Sequence, residues 1–240
     1  MNRGQLLYAG KAKSVYRSNV TGELIVSFRD DITAFDGGKK DVIIGKGAFN
    51  ARISAFFFTY LEEHGIPTHF IRMIDERTML VRELTMIPLE VIVRNRAAGS
   101  IVRRYPFQEG QVFATPVIVM DYKDDTRHDP MINDDLICAL GLLTREEIQT
   151  IRKLALTVNR YLTELFSDKG LDLIDFKIEF GRSGDSILLA DEISMDSMRL
   201  WDRKTGASLD KDVYRFDKGD VLSAYAQVVK MIVPEGYGGL

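Results

Sequence analysis

Four carboxylates and a lysine in the C-terminal half carry the clearest chemistry in the sequence. Asp175, Lys177 and Glu179 alternate with Ile174, Phe176, Ile178 and Phe180. Side chains of a strand point to opposite faces in turn, so the apolar set marks a core face and the other face presents acid, base, acid. A second apolar run, Leu188, Leu189 and Ala190, leads into Asp191 and Glu192. Pairing of the two runs as a hairpin returns Asp191 to the neighbourhood of the acidic row. Carboxylates brought together repel unless a cation lies between them. Carboxylate oxygens with room for water and phosphate are what Mg2+ takes. The competing reading is a solvated strand with an internal ion pair of little worth.

Two basic segments supply the opposite charge. In Tyr8-Ala-Gly-Lys-Ala-Lys-Ser-Val-Tyr16, a glycine in a strand-to-strand turn lets backbone amides approach an anion, with Lys11 and Lys13 beside it. The pattern is not the Gly-x-x-x-x-Gly-Lys-Ser/Thr phosphate loop, and a surface hairpin with solvated lysines is its plainer reading. The segment Arg94-Asn-Arg-Ala-Ala-Gly-Ser-Ile-Val-Arg-Arg104 lies in a stretch, 91–108, that contains no acid. Arginine forks suit carboxylate and phosphate; an RNA-binding patch and a solvated face are the rivals. Two weaker candidates are the acid-and-glycine loop Asp30–Gly38 and the segment Asp191–Asp202, which contains the only Trp. With one Cys and three His (His64, His69, His128) and no Cys-x-x-Cys, a structural zinc site has no support. His64 reads as a helix C-terminal dipole partner.

These residues need elements to hold them. Short strands are predicted over 5–30, and helical spacing predicts a helix over 46–64, stopped by Gly65 and Pro67. Strands follow at 68–74, 78–84 and 89–95. Residues 121–135 read as a polar loop, with a short helix after Asn133. Thr144-Arg-Glu-Glu147 is a capping box opening a long helix that Gly170 ends. A hairpin is expected from 171–180 and 186–192 across Gly181–Asp185, then a helix over 218–232 and a loose tail from Gly236 to Leu240. The order is that of an α+β fold with antiparallel sheets, divided near 84–88 into a strand-rich part (1–85) and a mixed part (86–240).

Composition bounds the partners. Over 240 residues, 32 Lys and Arg stand against 35 Asp and Glu, a formal net charge of −3. That balance argues against nucleic acid or a polybasic membrane anchor as the main partner. No apolar run approaches the roughly 18 residues of a membrane span. The opening MNRGQLLYAGKAK has no apolar signal region, and the single Cys138 excludes an internal disulfide. A cytoplasmic protein is expected.

Taken together, the YxGKAKxVY start, the TAxDG loop, VxVRNRAAGS, the HDP turn, DFKxEFG and the DEIS…RLWD segment resemble the SAICAR synthetase family. The resemblance runs over nearly the whole chain. It implies a two-part, kinase-like or ATP-grasp-like ATP-binding fold with a cleft between the parts. It also implies a C–N ligase of purine biosynthesis that joins CAIR and L-aspartate at the expense of ATP, with Mg2+. Bacterial members are often homodimers. Residue by residue, the resemblance puts Lys11 and Lys13 at the ATP phosphates, and Val15, Arg82, Glu83 and Met86 around the rest of the nucleotide. Glu179 and Asp191 become Mg2+ ligands. Lys177 neutralises developing charge, and Asp175 contacts the nucleotide substrate. Arg94, Ser100 and Arg199 form a phosphate site for CAIR; Asp36, Asp129 and Asp196 are further substrate contacts. Where many relatives carry Ser-Pro-Asp, this chain has Ser194-Met195-Asp196. Proline would fix φ, so methionine is expected to leave the loop freer. The alternatives are a small-molecule kinase with a similar cleft and an RNA-binding module using Arg94–Arg104.

Overall fold

The computed structural model describes residues 3–234 and 237. In chain order the N-terminal elements are β1 (Leu6–Ala9), β2 (Lys13–Arg17), β3 (Glu23–Phe28), β4 (Asp31–Ala34), β5 (Lys39–Val42), α1 (Lys46–Glu63), β6 (Phe70–Asp75) and β7 (Thr78–Arg82). Then come β8 (Thr85–Met86), β9 (Leu89–Arg96), α2 (Ser100–Arg104), β10 (Val112–Tyr122), α3 (Asp134–Ala139) and α4 (Arg145–Ser167). The chain closes with β11 (Leu171–Ser183), β12 (Ser186–Ala190), β13 (Met198–Asp202), α5 (Asp212–Arg215) and α6 (Val221–Ile232).

Two antiparallel sheets organise these elements. The first runs β1-β2-β3-β7-β6 and the second β10-β9-β11-β12, with β8 and β13 also paired to β11. In chain order the last strand of the first sheet ends at Arg82 and the first strand of the second begins at Thr85. The loop expected over 30–38 contains part of a two-stranded hairpin, β4 with β5. Helix α1 covers β3, β6 and β7, whereas α4 covers β9, β11 and β12. Phe57 of α1 and Phe166 of α4 meet edge to face at 5.7 Å, and the buried apolar residues form one continuous cluster across both sheets.

Strand β11 is the hub. On one edge it pairs with β9 through Asp175–Ile178 and with β8 at Gly181–Arg182; on the other it pairs with β13 through Leu171–Phe176 and with β12 from Glu179 onward. Both neighbours change around Lys177–Glu179, so the acidic row lies where the sheet opens. The hairpin turn is tighter than expected. Strand β11 continues through Gly181–Ser183, and only Gly184 and Asp185 separate it from β12.

The capping box forms as read: Thr144 Oγ1 accepts from Glu147 N–H, and Glu147 accepts from Thr144 N–H. His64 caps α1, its Nδ1 lying 2.7 Å from the Tyr60 carbonyl oxygen. Three elements depart from expectation. Strand β10 carries Pro116 in its middle and, among the described strands, pairs with β9 alone, an edge position that tolerates a missing N–H. Strand β13 forms where a loop was expected, because Met198 and Leu200 are buried beside β11. The final helix starts at Val221, capped by Asp220, with the separate turn α5 before it. The tail expected from Gly236 to Leu240 lies outside the described residues except for Tyr237.

Candidate active site

Three adjoining spaces lie along the opening between the sheets. The first is an apolar slot of about 400 Å³, walled by Val15, Val26, Val81, Leu84, Met86 and Ile87. The second is a charged chamber of about 330 Å³. Lys13, Lys123, Glu179 and Asp191 line both. The third is an arginine pocket of about 250 Å³, which shares Lys177, Asp196 and Ser197 with the chamber.

Acids in the chamber are neutralised by lysines from distant parts of the chain. The Glu179 carboxylate is only 1% exposed and accepts hydrogen bonds from Lys123 Nζ at 2.6 and 2.7 Å and from Lys177 Nζ at 2.9 Å. Lys177 also donates to Glu90 at 2.7 Å. Lys13 Nζ bridges Asp191 and Glu192. Burial alone would raise the Asp191 carboxyl, but Lys13, Lys177 and Lys123 outweigh it and hold the group ionised, well below the usual range. Burial likewise opposes the Lys177 charge, and Glu179, Glu90 and Asp191 reverse it, so the ammonium is held well above its usual range. Asp191 sits at φ 66°, left-handed backbone that a non-glycine residue rarely adopts.

Glu179 and Asp191 thus line the same chamber, with ammonium groups as the cations beside them. Among the described residues no group of three or more acidic, His or Cys side chains is arranged to hold a metal alone. Mg2+ is commonly held by one or two carboxylates together with phosphate oxygens and water. The two hard-oxygen donors fit that pattern.

The arginine pocket is built differently. Arg94 Nη1 and Arg199 Nη1 share Asp175 at 2.5 and 2.9 Å, Arg94 Nη2 donates to Ser100 Oγ at 3.1 Å, and Arg199 Nε donates to Asp212 at 2.9 Å. The register places Asp175 opposite both Arg94 on β9 and Arg199 on β13. Gly99 (φ +67°) passes so close that a Cβ there would lie 2.5 Å from Arg199 Nη2. This explains why Ala-Ala-Gly-Ser leads into α2.

The remaining expected residues divide. Lys11 lines the chamber but is exposed, paired with Asp125 at 3.2 Å. The Gly10 amide closes its own turn on the Lys13 carbonyl (2.8 Å) rather than facing the chamber freely. Arg82 lines the slot while its guanidinium binds the carbonyls of Thr68 and Phe70. Glu83 does not line the slot: its N–H donates to Gly22 O, and its side chain lies 3.8 Å from Arg17. Asp129 lines the chamber and accepts from the Asp124 N–H. The Asp36 side chain lies outside the described residues.

Asp196 lines both chamber and pocket and is fixed by Lys46 Nζ at 2.6 Å and Tyr225 OH at 2.5 Å. Burial works against its charge, yet Lys46, Lys211 and Tyr225 bring its pKa down to about 2. Met195 does not free this loop. It is 0% exposed, and its buried side chain anchors the turn that the Ser194 and Ser197 hydroxyls close. Sequence reasoning missed Lys46, Glu90, Lys123, Lys211 and Arg215. Each is a lone charge without a motif. A lysine inside the apolar spacing of α1 was the one signal available for Lys46.

An apolar slot leading to a lysine-balanced acidic chamber and then to an arginine pocket defines an enzyme site for several small anions held in a row. A SAICAR synthetase family profile matches residues 6–232. The chain is 63% identical over 232 residues to the phosphoribosylaminoimidazole-succinocarboxamide synthase of Methanoregula boonei, covering 97% of this chain and 91% of that one. It is 59% identical to the enzyme of the same name from Methanoculleus marisnigri, covering 99% of each. Among solved structures, a SAICAR synthetase in complex with ADP superposes with a TM-score of 0.92 at 48% identity, covering 95% of this chain and 99% of that one. The synthase from Ehrlichia chaffeensis gives 0.93 at 40% identity, covering 96% and 100%. The chain belongs to the SAICAR synthetase family, and its fold is the α+β fold of those enzymes.

Proposed function

We propose that the chain joins the carboxylate of CAIR to the amine of L-aspartate, converting ATP to ADP and phosphate and giving SAICAR. The observation that carries this reading is the chamber itself. Ionised carboxylates and protonated lysines are interleaved between an apolar slot and an arginine pocket. A carboxylate is a poor electrophile, and transfer of a phosphoryl group to it supplies a leaving group. A CAIR carboxylate oxygen attacks the γ-phosphorus, and the bond to the β-phosphate oxygen breaks. The aspartate nitrogen then attacks the acyl carbon, and the C–O bond to phosphate breaks. One amine proton leaves with the phosphate. Such transfer is mostly positioning and charge neutralisation.

The slot formed by Val15, Leu84 and Met86 suits the adenine, and Lys13 suits the phosphates. Lys177, protonated between Glu90 and Glu179, lies where charge develops. Arg94, Ser100 and Arg199 suit the CAIR phosphate. Glu179 and Asp191 would hold Mg2+, which neutralises phosphate charge when bound. No described helix is long and apolar enough to cross a membrane. A cytoplasmic setting, a homodimer and a division into nucleotide and substrate parts near residue 85 belong to the same reading; light scattering tests the dimer.

The experiment is ADP release in the presence of ATP, Mg2+, CAIR and aspartate, with product followed by chromatography. ADP should be released over many turnovers only when CAIR and aspartate are both present. ADP formation independent of aspartate would point instead to a kinase.

A further inference from the structure

Five lysines line the chamber: Lys11, Lys13, Lys123, Lys177 and Lys211. The first four each hold one or two carboxylates, namely Asp125, then Asp191 with Glu192, then Glu179, then Glu90 with Glu179. Lys211 is the exception, for its ammonium has no hydrogen bond or ion pair with any described residue. A cation largely withdrawn from water, on which Asp196 acts only through space and to which no carboxylate is hydrogen-bonded, is costly unless a ligand supplies an anion in contact. Burial brings its pKa down to about 8, with Arg215 and Lys46 adding to the effect and Asp196 opposing it. An arriving carboxylate would restore the full charge.

Its neighbour supplies the complementary sign. The Lys211 N–H donates to Met195 O at 3.2 Å, which ties the start of α5 to the loop carrying Asp196. Asp196 lines the chamber beside Lys211, and Lys46 and Tyr225 hold it ionised and oriented. A carboxylate has about four acceptor positions, so two bonds leave room for a donor from the chamber. A fixed anion next to an unpaired cation matches the two ends of an amino-acid zwitterion. Both lie beside Lys177, where the acyl group would be activated.

We propose that Lys211 and Asp196 form the amino-acid subsite, Lys211 binding a carboxylate of aspartate and Asp196 its ammonium, which releases one proton to solvent to become the attacking amine. This deepens the ligase reading and rests on it. Lys211 thereby selects for an acidic amine, and Asp196 sets the nitrogen toward the arginine-pocket side.

Steady-state kinetics on the full chain test it, with succinate as a competitive probe that has the carboxylates but no amine. Lys211→Met should raise the KM for aspartate and the inhibition constant of succinate by roughly 30- to 100-fold, the worth of a charge-assisted hydrogen bond. The KM values for ATP and CAIR should stay within about threefold, and Lys211→Arg should recover part of the loss. The paired variant Lys46→Met with Asp196→Asn removes both charges, so neither is left buried alone. It should raise the aspartate KM about tenfold with succinate inhibition within about threefold of wild type. Unchanged aspartate KM and succinate inhibition in Lys211→Met, or an equal rise in the KM for CAIR, would overturn the subsite and leave the ligase reading standing. Absence of aspartate-dependent turnover in the wild type would overturn both.

Discussion

The charged chamber and the arginine pocket sit side by side and manage charge in opposite ways. In the chamber, compact ammonium groups on flexible stems rest on Glu179, Asp191 and Glu90. In the pocket, two guanidinium forks close on one carboxylate, Asp175, and are braced by Ser100 and Asp212. Lysine is a point charge that re-aims readily, whereas an arginine fork fixes direction as well as charge. The charges of the chamber can therefore re-aim, whereas those of the pocket are fixed in direction in advance.

That contrast breaks first at Asp175, which is 3% exposed. Asp175→Asn leaves the buried Arg94 guanidinium without its counter-ion and the half-buried Arg199 with Asp212 alone, and stability to denaturant should fall by about 3–5 kcal/mol. A loss well under 1 kcal/mol would show that the pocket is not braced as described. Next is Lys13. Lys13→Met should raise the KM for ATP roughly 30- to 100-fold while the KM for CAIR changes little, since Lys13 lines the slot and chamber but not the pocket.

The pocket's support also carries a pH signature. Asp210 is 0% exposed and accepts the N–H groups of Leu200 and Asp212. Burial first, then the Asp212 charge, pushes its pKa up to about 7. The folded state therefore binds a proton that the unfolded chain releases near pH 4, so this contribution is full below pH 4 and is lost as pH rises through 7. Wild type should lose about 2 kcal/mol relative to Asp210→Asn between pH 5 and 8 in denaturation curves. A constant difference between the two would contradict the assignment. The smallest effect belongs to Lys11. Its pair with Asp125 is exposed, so Lys11→Ala should change stability by less than about 1 kcal/mol and the ATP KM only a few-fold.

The two regions were not equally legible in the sequence. The acid–base alternation of 174–180 shows because period two is a local property, and the capping box of α4 for the same reason. Glu179 and Asp191 follow from one hairpin, a short-range closure. The arginine run showed Arg94, but its neighbours scatter in the fold: Arg96 turns to Asp172, and Arg94 alone is buried with Asp175. Lys46 and Asp196 lie 150 residues apart, and Lys123 meets Glu179 over 56, so topology alone brings them together. Met195 misled because proline's constraint was weighed and burial was not. A side chain packed in the core fixes a loop as firmly as a ring fixes φ.

The central point of the proposed reading is that Glu179 and Asp191 would hold Mg2+ once ATP is bound. Calorimetric titration of ATP into the protein with and without Mg2+ tests it directly, in wild type and in Glu179→Gln with Asp191→Asn. The account predicts that Mg2+ tightens ATP binding in wild type at least tenfold and has almost no effect in the paired variant. Equal Mg2+ dependence in both proteins would contradict it.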